Sequence, residues 1–218
     1  MELKGFIGAL YKLGDWVIRL VYVNILWVLF IGVGGIVLGI MPSTTALFSV
    51  MRKWMKGETD LPIFKTYWRS FKKDFKKANL LGLVLGVISL ILYVDYRVIL
   101  ISPGATFQIL ALVLMVILFI FSLMCLYLFP VFVSYEMKLF QYFKFSFLFT
   151  FASPLSTIIM LVGLFFTGIL LTMVPGLIIF FGASATAFII MASANRAFGK
   201  IKYKIEKNHI QQENIVNQ

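Results

Sequence analysis

The chain has 218 residues, of which 61% are hydrophobic and 13% charged, against about a quarter charged in soluble domains. That excludes a soluble enzyme or binding domain and leaves room for one membrane bundle of roughly four to six spans of about 20 residues each. The net charge of +11 sits beside apolar runs, where anionic lipid and the positive-inside rule account for it better than nucleic acid does.

The N-terminus lacks a compact basic region followed by an apolar core and a small-residue cleavage site, so no cleaved signal peptide is expected. Residues 3–16 read as a short interfacial helix with Phe6, Leu10, Leu13 and Trp16 at helical spacing. The first span is expected over 17–40, with Asn24 as its polar interior residue, suited to an interhelical hydrogen bond. Gly35 and Gly39 form a GxxxG pair for close helix approach. Pro42 and Ser43 are expected to end the span, Ser43 serving as N-cap of a helix over 44–56 that stops at Gly57.

A second helix is predicted over 62–77. Phe64, Tyr67, Trp68, Phe71 and Phe75 form one stripe, and Lys65, Arg69, Lys72, Lys73, Lys76 and Lys77 lie off it. This is the pattern of a basic amphipathic helix with its rings in the acyl boundary and its ammonium groups among headgroups. The stretch from Pro42 to Asn79 holds nine of the twenty basic residues.

The second span, 79–101, carries Gly82 and Gly86, and places Asp95 and Arg97 near the far interface; Ser102-Pro103-Gly104 is the turn. A third span over 107–129 leads to an aromatic interfacial elbow over 134–150. The fourth, 154–173, and the fifth, 177–197, flank Val174-Pro175-Gly176. Gly182 and Thr186 lie in a small-residue face of the fifth span that suits close packing. Residues 201–218 read as a polar cytoplasmic tail whose last ten residues lack order. The fold class is therefore an all-α membrane bundle of about five spans with a cytoplasmic interfacial hairpin.

Charge sets the expected orientation. With the N-terminus outside and the C-terminus inside, sixteen basic residues fall inside and Lys4, Lys12, Arg19 and Arg97 outside. A Gly-rich first segment that re-enters instead of crossing would move the N-terminus inside.

Motifs for catalysis are lacking. The lone histidine, His209, is in the tail, and the lone cysteine, Cys125, lies in an apolar run, which gives no triad, no His-based metal site within the bundle and no intrachain disulfide. No Asp, Glu, Lys or Arg falls mid-span, which argues against an ion-coupled carrier. No enzyme activity, cofactor or metal is implied. A passive small-solute transporter or pore lined by Asn24, Ser and Thr is the alternative reading.

Several stretches carry a family resemblance: ILW, MPSTTALF, RKWMKGE, IFKTYWRSFKKDFKKAN, FPVFVSYEM and VPGLIIFF. Together they resemble the YesL family of small bacterial integral membrane proteins. GVGGIVLGI stands where members often carry a Pro-Thr-rich stretch. The family has no established catalytic activity, and its members are commonly encoded beside ABC-type carbohydrate importers and polysaccharide-degrading enzymes. The resemblance implies a non-catalytic accessory or regulatory component of such an importer in the cell membrane, with permease subunits and anionic headgroups as partners. The contact residues expected are Arg52, Lys53, Trp54, Gly57 and Glu58 at the turn, with Trp68, Phe71 and Phe75 as anchor.

Overall fold

The computed structural model describes residues 6–101 and 104–216, with side chains for 8, 10–101 and 104–203. Seven helices occupy these residues, without strands: α1 Phe6–Val33, α2 Val37–Met55, α3 Ile63–Ile101, α4 Ala105–Ser134, α5 Leu139–Ala152, α6 Pro154–Met173 and α7 Gly176–Val216. Five of them, α1, α3, α4, α6 and α7, are long and apolar enough to cross a membrane.

The first break falls earlier than the proline suggests. α1 runs unbroken from Phe6 to Val33, so the described part of the interfacial helix expected over 3–16 is the start of α1, while residues 3–5 lie outside the described residues. Gly35 (φ 76°) and Ile36 (φ 61°) turn the chain, and Ile36 donates its amide to the Ile31 carbonyl at 2.9 Å. Pro42 lies inside α2, in its second turn, where the missing N–H removes a single ladder bond. Gly35 is thus a turn residue and lies on no helix face. Gly39 serves close approach, but to its own hairpin partner: a Cβ there would lie 2.3 Å from the Ile31 carbonyl oxygen.

α1 and α2 form an antiparallel hairpin. Trp27 donates its indole N–H to Thr44 at 3.1 Å near the apex, and Trp16 meets Trp54 edge to face at 5.4 Å at the other end. α2 is the central helix, with ten of its 19 residues buried. A helix sheltered by protein tolerates Ser43, Thr44, Thr45 and Ser49, which explains why α2 lacks the apolar window of the five candidate spans although at ~28 Å it nearly matches the hydrocarbon thickness.

α3 is one continuous helix through both the basic stretch and the apolar run. Its aromatic stripe packs on protein, contrary to the expectation of rings in lipid: Tyr67 and Phe71 are buried, and Phe30 of α1 contacts both at 5.0 Å. Phe64 remains exposed. Tyr67 donates to the Ser43 carbonyl of α2 at 2.8 Å. Gly82 is a tight contact, since a Cβ there would lie 2.4 Å from Met41 Cγ, whereas Gly86 has no neighbour within 4 Å and faces outward.

α7 runs antiparallel to α1. Asn24 is buried and its carboxamide is spent on α7: Nδ2 donates to the Ile179 carbonyl at 2.7 Å, and Oδ1 accepts from the amides of Ala183 and Ser184 at 3.0 Å each. Gly182 and Thr186 flank that contact, and Thr186 bonds carbonyls of its own helix. Gly163 of α6 is a close approach that spacing did not single out, a Cβ there meeting Ile189 Cγ2 at 2.7 Å. α7 continues to Val216, so the tail expected to lack order is helical as far as the described residues extend. Of the expected turn at 102–104, Ser102 and Pro103 lie outside the described residues, and Gly104 (φ 122°) precedes α4.

Candidate functional site at the basic end of the bundle

The helix directions bring one set of ends together. Phe48 of α2 stacks on Phe129 of α4 at 5.4 Å, and four residues further along each helix Arg52 reaches Val133, so α2 and α4 run in parallel. The last turns of α2 and α4 therefore converge with the 195–202 stretch of α7, the first half of α1 and the start of α3. Arg19 of α1 confirms this closure: its guanidinium pairs with Asp15 at 2.8 Å and Asp60 at 3.8 Å and donates to the Thr59 carbonyl.

The turn after α2 is built by its own backbone. Gly57 takes φ 88°, its amide donates to the Trp54 carbonyl, and the Glu58 amide donates to the Lys53 carbonyl at 3.1 Å. This is a Schellman motif, which needs a left-handed residue at Gly57. Lys53 and Glu58 close it with an ion pair at 3.6 Å.

Arg52 joins this turn to α4. Its Nη1 donates to the Val133 carbonyl at 2.6 Å and its Nη2 to the Ser134 carbonyl at 3.1 Å, satisfying carbonyls that a helix C-terminus leaves open. Beyond Ser134 the chain is extended at Tyr135 and enters α5 at Leu139, where the Gln141 side chain accepts the Lys138 amide at 2.9 Å. Tyr142, 1% exposed, knits the elbow. Its hydroxyl accepts from Lys77 Nζ at 2.8 Å and from the Met137 amide at 3.1 Å, and donates to the Tyr135 carbonyl at 3.2 Å.

Between these elements lies a cavity of about 580 Å³ lined by Arg52, Lys53, Lys56, Arg69, Lys73 and Lys77 together with Glu58, Asp74 and Glu136. Lys73 and Glu136 pair at 2.6 Å. The hydrogen bond from Lys73, reinforced by its charge, holds the Glu136 carboxyl below the ordinary glutamate range. Lys77 also stands over the ring of Tyr142 at 5.0 Å.

A second, apolar groove of about 1100 Å³ adjoins it between α5 and α7, with Phe145, Leu148, Phe149, Phe198 and Ile201 among its walls. Tyr135, Phe149 and Phe198 contact one another at 4.7–6.3 Å. Lys56 and Tyr135 line both cavities.

Of the residues expected to make external contacts, Trp54 and Phe71 are in the core, at 3% and 4% exposure, and Trp68 and Phe75 pack against it. Lys56, Gly57 and Glu58 are exposed, and Arg52 and Lys53 are half-buried. Sequence reasoning missed Arg69, Lys73, Lys77, Tyr135 and Tyr142 as members of one site. The motif FPVFVSYEM carried the only signal, by placing Tyr135 and Glu136 directly after a helix end. Among the described residues no group of three His, Cys, Asp or Glu is placed to hold a metal ion.

Comparison with known proteins yields relatives but no structure. A family described as "Protein of unknown function, DUF624" matches residues 20–96. Three uncharacterized proteins of Bacillus subtilis (strain 168) match most of the chain. YteU is 40% identical over 192 residues, 86% of this chain and 84% of its own length. YesL is 35% identical over 192 residues, 88% of this chain and 90% of its own. YesV is 37% identical over 194 residues, 88% of this chain and 92% of its own. No solved structure matches.

Proposed function

Because the chain belongs to the DUF624 family, with YteU, YesL and YesV among its relatives, we propose a non-catalytic role for it: an accessory or regulatory component of an ABC-type carbohydrate importer in the bacterial cell membrane. The observation that carries this reading is the turn at Lys56, Gly57 and Glu58. It is exposed, yet its backbone is fixed by the Schellman motif and by Arg52's bonds to α4. A rigid charged knuckle of this kind suits docking to a permease subunit, because little conformational entropy is lost when it is bound. The contact surface is narrower than the sequence suggests, since Trp54 and Phe71 are consumed by the core.

The arrangement also supports a topology with both termini in the cytoplasm. α1 enters and α2 returns, so the first turns of α1 lie beside the basic loop, as Trp16–Trp54 and Arg19–Asp60 indicate. Nineteen of the twenty basic residues then fall inside and Arg97 alone outside, a stronger bias than an outside N-terminus gives.

Purification of the tagged chain in mild detergent, followed by mass spectrometry, tests the partner. Importer subunits are expected with the native chain and depleted with Lys56→Glu combined with Glu58→Lys. Recovery of the chain alone overturns the reading. A reporter fused to residue 1 is expected to act in the cytoplasm, and activity on the outer side overturns the topology.

A further inference from the structure

We propose that the basic cavity and the apolar groove are one site, and that its occupant is a phospholipid with an anionic headgroup. The two spaces meet at Lys56 and Tyr135, which line both, so a single amphiphile reaches from one into the other. Their chemistry divides as an amphiphile's does. Six cations face three acids in the cavity, while aromatic and aliphatic side chains wall most of the groove.

The positive charge is not all spent within the protein. Arg52 is committed to carbonyls, Lys53 and Lys73 to carboxylates and Lys77 to Tyr142. Lys56 and Arg69 have no acidic partner among the described residues and are exposed, which leaves two cations to meet a phosphate. The position agrees, because the site lies at the charged ends of the apolar helices, and basic pockets between such helices at the cytoplasmic face bind headgroups. A soluble phosphorylated compound would satisfy Lys56 and Arg69 but leave the groove unfilled. This assignment does not depend on the importer reading.

The test follows thermal unfolding of the full chain in mild detergent with added phosphatidylglycerol, phosphatidylcholine or inorganic phosphate. Phosphatidylglycerol is expected to raise the melting temperature saturably, and phosphatidylcholine to leave it unchanged. Lys56→Gln with Arg69→Gln should weaken the phosphatidylglycerol effect by about 25-fold in apparent affinity, at about fivefold per cation. The equal-charge pair Lys65→Gln with Lys76→Gln, on α3 but outside the cavity, should change it less than about twofold. Ala152→Phe, which narrows the groove, should weaken phosphatidylglycerol while the lipid-free melting temperature shows that the variant folds. Equal losses from both glutamine pairs would mean diffuse surface attraction and overturn the site. Equal binding of phosphatidylcholine, or of inorganic phosphate as tightly as phosphatidylglycerol, would overturn the lipid.

Discussion

Arg52 Nη1 donates to the Val133 carbonyl at 2.6 Å, while Nη2 of the same guanidinium reaches Ser134, so one fork closes the end of α4 and fixes the end of α2 beside it. Lysine has the charge but not the planar fork. Arg52→Lys should therefore cost about 1–2 kcal/mol of stability and Arg52→Gln more, because bonds from a charged donor are lost. Lys53→Gln, which breaks only a solvent-exposed pair, should stay within about 0.5 kcal/mol. Denaturant or thermal unfolding of the three variants in detergent checks the order, and equal losses would refute the capping role.

The two glycines of the α3 GxxxG pair should respond differently. Gly82→Val should cost about 1–3 kcal/mol through overpacking against Met41. Gly86→Val, with open space around it, should fall within about 0.5 kcal/mol. Similar losses at both positions would show that α3 uses the whole motif for a neighbour.

Ile36 is a β-branched residue at φ 61°, ψ −78°, a backbone region that such side chains rarely occupy. It is 66% exposed, so replacing it forfeits little packing within the chain. Ile36→Gly should raise stability by about 1 kcal/mol. Val37→Gly, one position on at the first residue of α2, should instead lower it by about 0.5 kcal/mol. A loss at position 36 would contradict the turn described for the hairpin.

The Lys73–Glu136 pair gives stability a pH dependence of known sign. The folded carboxyl lies below the ordinary range, so the contribution of the pair is present above the unfolded glutamate value and is lost as pH falls through the folded one. The native chain should melt slightly above Glu136→Gln at neutral pH, and the two curves should merge on acidification. A difference that grows toward low pH would reverse the assignment.

Much of this arrangement is legible in the residues. The five long apolar helices follow from run lengths, Gly57 reads as a helix stop, and Asn24 reads as an interhelical bond. The place of α2 was hidden because hydropathy reports what faces lipid, and α2 faces protein. Pro42 outweighs Gly34-Gly35 as a break signal, although proline near a helix start removes only one ladder bond and the glycine pair lies in the turn itself, Gly35 taking one of its two positive φ values. The stripe of Tyr67, Trp68 and Phe71 announces an apolar face. Periodicity does not say that Phe30, more than thirty residues earlier, covers it. The basic site was scattered across 83 intervening positions from Arg52 to Glu136, which no local spacing can unite.

Asn24 lies in α1, and its hydrogen-bonding partners, Ile179, Ala183 and Ser184, lie in α7, the last of the seven described helices in chain order. Until α7 is synthesised, that carboxamide has none of these partners, and an unsatisfied amide in hydrocarbon costs several kcal/mol. The bond thus settles α1 in its final environment only once α7 is in place. A chain truncated before α7 keeps α1 to α6 and leaves that carboxamide without these partners.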